Sequence, residues 1–243
     1  MDRSNTIPSW PSRKGPKDFV TASDIKAEQI IYDDLSYARP DYSFIMEERG
    51  SVDIKDSEFR WVIDPLDGTI NFLHGISSFC ISIALEKRIS KTRREIQAAV
   101  ILSPIHKELF WAEKGQGAWL ESTENRPITR LRVANRNKLN DTLLCVGSPK
   151  RDMTGTEEIL DEVSSTRTFG TTALALAYVA AGRFDCFFQT GMSYWDIAAG
   201  ALLVKEAGGY ITDYQNNNAL DTATSIIAAN ESLHGLVIKK LKN

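Results

Sequence analysis

The chain changes rhythm part-way along, and that change limits its fold more than any single residue. Between positions 42 and 122, strand-length apolar segments follow one another: YSFIMEE (42–48), RWVID (60–64), SFCISIALEK (78–87), IQAAVILSP (96–104), KELFWAEK (107–114) and GAWLES (117–122). The last four, two of them joined by the tight turn Gly115-Gln116-Gly117, predict an antiparallel run. From 141 onward, strands and helices alternate: DTLLCVGS (141–148), a helix over TGTEEILDEVSS (154–165), a buried helix over TALALAYVAAG (172–182) and the strand RFDCFFQ (183–189). A helix over WDIAAGALLVKEAGG (195–209), closed by glycines, a strand over ATSIIAAN (223–230) and a terminal helix over 231–243 complete the pattern. Ahead of the strands, TASDIKAEQIIYDDLSYA (21–38) reads as an amphipathic helix with Ile25, Ile30, Ile31 and Leu35 as its apolar face. Ser23 or Asp24 caps it, and Arg39-Pro40 ends it. The expected fold class is an α+β / α/β layered sandwich of αβαβα type. An antiparallel half over 1–135 meets a smaller alternating half over 136–243 at a seam near 130–140, and the two work as one unit.

Composition narrows the function mainly by exclusion. A net charge of −3 over 243 residues gives no global reason to expect nucleic acid or an anionic membrane as partner. Cys80, Cys145 and Cys186 are odd in number, far apart and set in apolar runs, so they read as buried, reduced thiols. The N-terminus has no apolar stretch of signal-peptide length, and the most apolar run, 172–182, is too short to span a bilayer. A cytoplasmic protein is expected.

Chemistry is announced by acids at the ends of strands. In WVIDPLDGTINF (61–72), Asp64 and Asp67 stand three positions apart around Pro65. That spacing is close to one helical turn, so in a turn or first helical turn both carboxylates face one way. An isolated pair of this kind is more often a helix cap and an exposed acid. Here Glu47-Glu48 ends another strand and Asp196 starts the 195–209 helix. Like charges brought together need a cation between them, and all-oxygen clusters favour hard ions such as Mg²⁺. Gly68-Thr69, where a helix can begin, offers backbone amides and a hydroxyl to an anion. Metals beside an anion seat point to phosphate chemistry.

These segments carry a resemblance. WVIDPLDGTINF and WDIAAGALLVKEAGG resemble the two signatures of the inositol monophosphatase family, whose members are Mg²⁺-dependent and often lithium-sensitive. KGPKDFVTASD (14–24) looks like the family's mobile lysine loop and FIMEE (44–48) like its Glu-Glu element, in the family's order from about residue 13 to the C-terminus. The resemblance implies two to three Mg²⁺ ions. Glu47, Asp64 and the Leu66 carbonyl would hold the first, and Asp64, Asp67 and Asp196 the second. A weaker third would use Glu47 through waters. Glu47 and Thr69, the latter polarised by Asp24, would orient the attacking water, and the amides of Gly68 and Thr69 would seat the phosphate. Asp67, Gly170, Thr171, Thr172, Gln189 and Asp196 are the further substrate contacts it implies. The implied substrate is a small phosphomonoester, inositol monophosphate first, and the implied assembly a homodimer. Within the superfamily the rival substrates are sugar bisphosphates, 3′-phosphonucleotides and NADP.

Other features have plainer readings. His74, His106 and His234 are scattered, and Trp61, Trp111, Trp119 and Trp195 sit in apolar patterns that suit a core or its edge. EKRISKTRRE (86–95) reads as a solvated hairpin tip. Its sharper reading is contact with nucleic acid or RNA polymerase, as in a regulatory partner of the transcription machinery with incidental catalysis, because some bacterial members of the family act in transcription antitermination. Two departures from the family pattern stand out. Only thirteen residues precede Lys14, with Pro8 and Pro11 among them, where relatives carry a long helix; either that helix is lost or the true start lies upstream of Met1. Gln189 stands where inositol phosphatases usually place a Glu that binds sugar hydroxyls, which leaves the alcohol open.

Overall fold

The two rhythms become two sheets. The computed structural model describes residues 12–15, 18–20, 22–122, 124, 127–147 and 156–241. A hairpin of β1 (Ser12–Gly15) and β2 (Asp18–Val20) leads into α1 (Ala22–Ala38). The larger sheet takes β3 (Ser43–Met46), β4 (Gly50–Val52) and β5 (Phe59–Asp67). After the short α2 (Thr69–Leu73) come β6 (Cys80–Arg88), β7 (Arg94–Ser103), β8 (Glu108–Glu113), β9 (Gly117–Ser122) and β10 (Thr129–Arg130). From β5 to β10 each strand pairs antiparallel with the next, as the short turns demand, while β3 joins the other side of β5 in parallel with β4 outside it.

The smaller sheet is built from β11 (Leu143–Val146), α3 (Glu157–Glu162), β12 (Ser165–Thr168), α4 (Thr172–Ala180), β13 (Cys186–Thr190), α5 (Tyr194–Glu206), β14 (Tyr210–Thr212), β15 (Ser225–Ala229) and α6 (Glu231–Leu241). Its strand order is β12-β11-β13-β15-β14, parallel across β12, β11 and β13 and antiparallel beyond.

Alternation along the strands sorts the core into layers. Cys145, Phe187, Ile226 and Ala228 face α4 and α5, which on their other side meet Val62, Ala99, Ile101 and Phe110 of the larger sheet. Leu144, Val146, Cys186, Phe188 and Ile227 point the opposite way, onto α3 and α6. Phe44, Met46 and Ile63 pack against Ile31, Tyr32 and Leu35 of α1. The order is helix, sheet, helix pair, sheet, helix pair, which is the expected αβαβα sandwich.

Three expectations need correction. Only half of the expected apolar face of α1 points inward: Ile31 and Leu35 pack on the sheet, but Ile25 and Ile30 are 57% and 53% exposed, whereas Asp24 and Glu28 are buried. The helix also begins at Ala22, so Ser23 and Asp24 lie in its first turn and do not cap it. The helix expected over 154–165 is limited to Glu157–Glu162, and Ser165 opens β12, a polar edge strand without an apolar signal. Residues 154–155 of that expectation, together with Pro8, Pro11, Pro16, Lys17 and Thr21, lie outside the described residues. Among the described residues no helix is long and apolar enough to cross a membrane.

Candidate active site

The site starts where β5 loses its regular register. Asp64 pairs with Ser82 of β6 and Asp67 with Cys80, so three steps along one strand match two along the other. Side chains alternate faces along a strand, and residues three apart would point to opposite sides. The extra residue is a β-bulge, which returns Asp64 and Asp67 to the same side. Pro65, which has no amide to offer the ladder, sits inside it. The two acids therefore lie on a bulged strand, not in a turn or first helical turn as their spacing suggested. Asp64 Oδ1 accepts from the Leu66 amide at 2.9 Å, which ties the bulge together.

Gly68 follows at φ 95°, and α2 begins at Thr69. A Cβ at 68 would lie 2.9 Å from the Ser78 carbonyl oxygen, so both conformation and space demand glycine. The amides of Gly68 and Thr69 belong to a helix start, where backbone donors have no intrahelical acceptor. Thr69 Oγ1 stands 3.2 Å from both Asp24 Oδ1 and the Leu66 carbonyl oxygen, and its one proton serves either. The buried acids of α1 are thereby explained. Asp24 meets Thr69, and Glu28 Oε2 accepts from the Glu48 amide at 2.8 Å, fixing the strand end that carries Glu47.

Asp67 reaches into the second half of the chain. Its Oδ2 accepts from Thr171 Oγ1 and from the Ala173 amide, at 2.5 and 2.6 Å, with Cys80 Sγ 3.9 Å away. Thr171 is the N-cap of α4 and accepts from the Leu174 amide. Asn71 Nδ2 donates to the carbonyls of Ser78 and Phe169, at 2.6 and 3.0 Å, and lies against Gly170. Gln189 is nearly enclosed; its Oε1 accepts from Thr172 Oγ1 at 3.0 Å, and its chain fills the space a side chain at Gly147 would need. Asp196, in the first turn of α5, accepts from the Ser193 amide at 2.8 Å.

Glu47, Asp64, Asp67 and Asp196 share one electrostatic neighbourhood. Asp64 is fully out of solvent, and the other three are partly exposed. Burial first, then the charges of Asp67, Glu47 and Asp196, holds the Asp64 carboxyl well above the usual carboxylate range. Burial also pushes Glu47 up to about 8; a hydrogen bond with Asp64 opposes this, while Asp196, Glu48 and Asp67 add to it. Asp67 is raised by burial against the donors of Thr171, Ala173 and Thr172. Each acid is met by protein groups, and among the described residues no three His, Cys, Asp or Glu side chains stand gathered about one point. The donor chemistry still fits one kind of group. Four carboxylates and a carbonyl are hard oxygen ligands; Glu47, Asp64 and Asp67 are disfavoured here as bare anions, and a hard divalent cation relieves that penalty.

Of the expected site residues, the structure brings Asp24, Thr69 and Leu66 into contact, sets Glu47, Asp67 and Asp196 near Asp64, and joins Asp67 to Thr171 and Thr172 to Gln189. Lys14 and Gly15 of the lysine-loop segment close β1. Sequence reasoning missed Asn71, Cys80 and Ala173, which contact the site from ordinary strand and helix positions. The histidines stand apart from the acids: His106 pairs with Ser103 and His234 with Thr212, and His74 is exposed on a loop.

Known proteins place this arrangement. The family model described as the inositol monophosphatase family matches residues 4–243. An inositol-1-monophosphatase of Mesorhizobium japonicum is 46% identical over 238 residues, spanning 95% of this chain and 85% of that protein. The Nus factor SuhB of Escherichia coli is 41% identical over 226 residues, 90% of this chain and 80% of that one. The crystal structure of the extragenic suppressor protein suhB from Bartonella henselae, 44% identical, superposes with a TM-score of 0.87 over 96% of this chain and 88% of the other. With its two sheets, its helix layers and its acids at strand and helix ends, this chain belongs to the inositol monophosphatase family.

Proposed function

We propose that this protein is a Mg²⁺-dependent phosphomonoesterase that hydrolyses inositol monophosphate to inositol and phosphate. The observation that carries the reading is the nearness of Glu47, Asp67 and Asp196 to the buried Asp64, beside the helix start at Gly68-Thr69. The 46% identical relative from M. japonicum, which bears the name inositol-1-monophosphatase, supports the choice of ester. Glu47, Asp64 and the Leu66 carbonyl would hold one Mg²⁺, Asp64, Asp67 and Asp196 a second, and Glu47 through waters a third. Bound there, Mg²⁺ supplies positive charge for the phosphate and acidifies a water towards neutrality. Thr69, with its proton shared between Asp24 and Leu66, presents an oxygen that orients the attacking water together with Glu47. The amides of Gly68 and Thr69 donate to phosphate oxygens, as helix starts do. Gly170 and Thr172 are substrate contacts and Gln189 lies at the alcohol end, and the protein works as a homodimer in a cytoplasmic compartment.

Phosphate release across a panel of phosphomonoesters, with Mg²⁺ titrated and Li⁺ added, tests this. Inositol monophosphate is expected to be the best substrate, with no release when divalent ions are chelated. Preference for a sugar bisphosphate, a 3′-phosphonucleotide or NADP would reassign the alcohol, and silence on every ester would remove the phosphatase reading.

A further inference from the structure

The resemblance makes Thr171 a substrate contact, yet the geometry gives its hydroxyl another task. A threonine hydroxyl has one proton to donate. Thr171 Oγ1 accepts from the Leu174 amide as the cap of α4, and its proton goes to Asp67 Oδ2. The same carboxylate oxygen takes the Ala173 amide at 2.6 Å and lies near the Cys80 thiol. Donors from β6, from the cap and from the first turn of α4 thus converge on Oδ2 of Asp67, the Thr172 amide also favours its charged form, and among the described residues no side chain donates to Oδ1. Turning the carboxylate over would break the bonds to Thr171 and Ala173 together. The nine residues of α4 also point their positive end at this acid. Asn71, bonded to the Phe169 carbonyl, pins the approach to the cap.

We infer that Thr171 is a positioning residue for Asp67, fixing which carboxylate oxygen is turned towards the metal, and that it makes no substrate contact through its hydroxyl. The inference rests on the metal reading given above. Groups that hold metal ligands in orientation are commonly worth 10–100-fold in metal affinity.

The test uses full-length protein with Thr171→Val, which keeps the shape and removes the donor, and Thr171→Ser, which returns it. Mn²⁺ serves as the probe, its binding measured by the electron paramagnetic resonance signal of the free ion and by calorimetry. Thr171→Val is expected to bind Mn²⁺ about tenfold or more weakly. The Mg²⁺ concentration for half-maximal turnover should rise by a similar factor, with KM for the phosphoester at saturating Mg²⁺ unchanged. Thr171→Ser is expected to restore both. If melting curves show that the valine variant does not fold, Thr171→Ala carries the same comparison. Normal Mn²⁺ binding by the variant lacking the hydroxyl, with a raised KM, would make Thr171 a substrate contact and overturn the inference alone. Wild-type protein that binds no Mn²⁺ would instead remove the metal reading, and this inference with it.

Discussion

The carboxyl groups of Glu47 and Asp64 lie beside each other, and burial raises both above the ordinary carboxylate range. Like charges held out of water favour the protonated form.

The pH dependence of stability follows from Glu47, whose carboxyl moves from its ordinary 4.5 to about 8 on folding. Between those values the unfolded chain has released the proton and the folded chain retains it, so raising the pH favours unfolding. With divalent ions chelated, the melting temperature is expected to fall as pH rises from 5 to 8. Mg²⁺ should restore it, and by most at pH 8, where fewest protons compete. Glu47→Gln should reduce the slope, leaving the part that comes from the raised Asp64. A chelated protein that grew more stable over this range would contradict the assignment.

Asp67→Asn is expected to fold normally and to lose turnover by more than about 100-fold, since the change strikes a direct ligand and not merely its support. The amide oxygen of Asn can still accept from Thr171 and Ala173, which leaves NH₂, a donor, where a hard cation needs an oxygen. Circular dichroism and a phosphate-release assay on the same preparation check both halves of the expectation.

Gln189 gives its oxygen to Thr172, so the arm left for other partners is an amide donor. Gln189→Glu replaces that donor with a charged acceptor suited to vicinal hydroxyls, and charge-assisted bonds are roughly twice as strong as neutral ones. KM for inositol monophosphate should fall about tenfold, ~1.4 kcal/mol, with kcat nearly constant, because the contact is equal in ground and transition states. An unchanged KM accompanied by lost activity on a different ester would identify that ester as the native substrate.

The basic run over 86–95 is the tip of the β6–β7 hairpin, and parts of it are tied back to the protein. Lys87 pairs with Glu58 at 3.2 Å, and Arg94 donates to the carbonyls of Ser57 and Glu58. Neutralising Lys87, Arg88, Lys91 and Arg93 while keeping Arg94 should leave phosphatase kinetics unchanged, because exposed charges are screened over roughly 8 Å at physiological salt. If the wild type binds RNA or RNA polymerase and this variant does so equally well, the run is only a solvated turn.

How far the sequence could be read depended on the length of each signal. The long alternating strands from β6 to β9 and the apolar helices α4 and α5 declare themselves, because each carries several residues of one period. The three-residue β4 and β14 and the polar β12 do not, since their neighbours in the sheet specify them. In the site, the spacing of Asp64 and Asp67 announced a shared face, but only the register against β6 reveals the bulge that produces it. Glu28 was hidden for a related reason, and Asp24, which the resemblance named, gave no sign of its burial in the residue pattern. In the sequence they look like the wet side of α1, and their burial follows from partners at Thr69 and Glu48. The cysteines read correctly as buried thiols; burial pushes Cys145 up to about 12. The thiol of Cys80 beside Asp67 was visible only in three dimensions.

The apolar cluster around α4 and α5 is continuous from Ile101 and Phe110 on one sheet to Phe187 and Ile226 on the other. Neither half of the chain therefore owns a complete interior. A fragment ending near the seam would leave one broad face of an eight-stranded sheet uncovered, far beyond the apolar patch a monomer tolerates in water. Glu47, Asp64 and Asp67 would travel with one fragment and Asp196 with the other. Co-expressed halves should consequently behave as a complementation pair: insoluble and silent alone, active only where their interiors have closed on each other. Turnover in this chain then doubles as an assay for that closure.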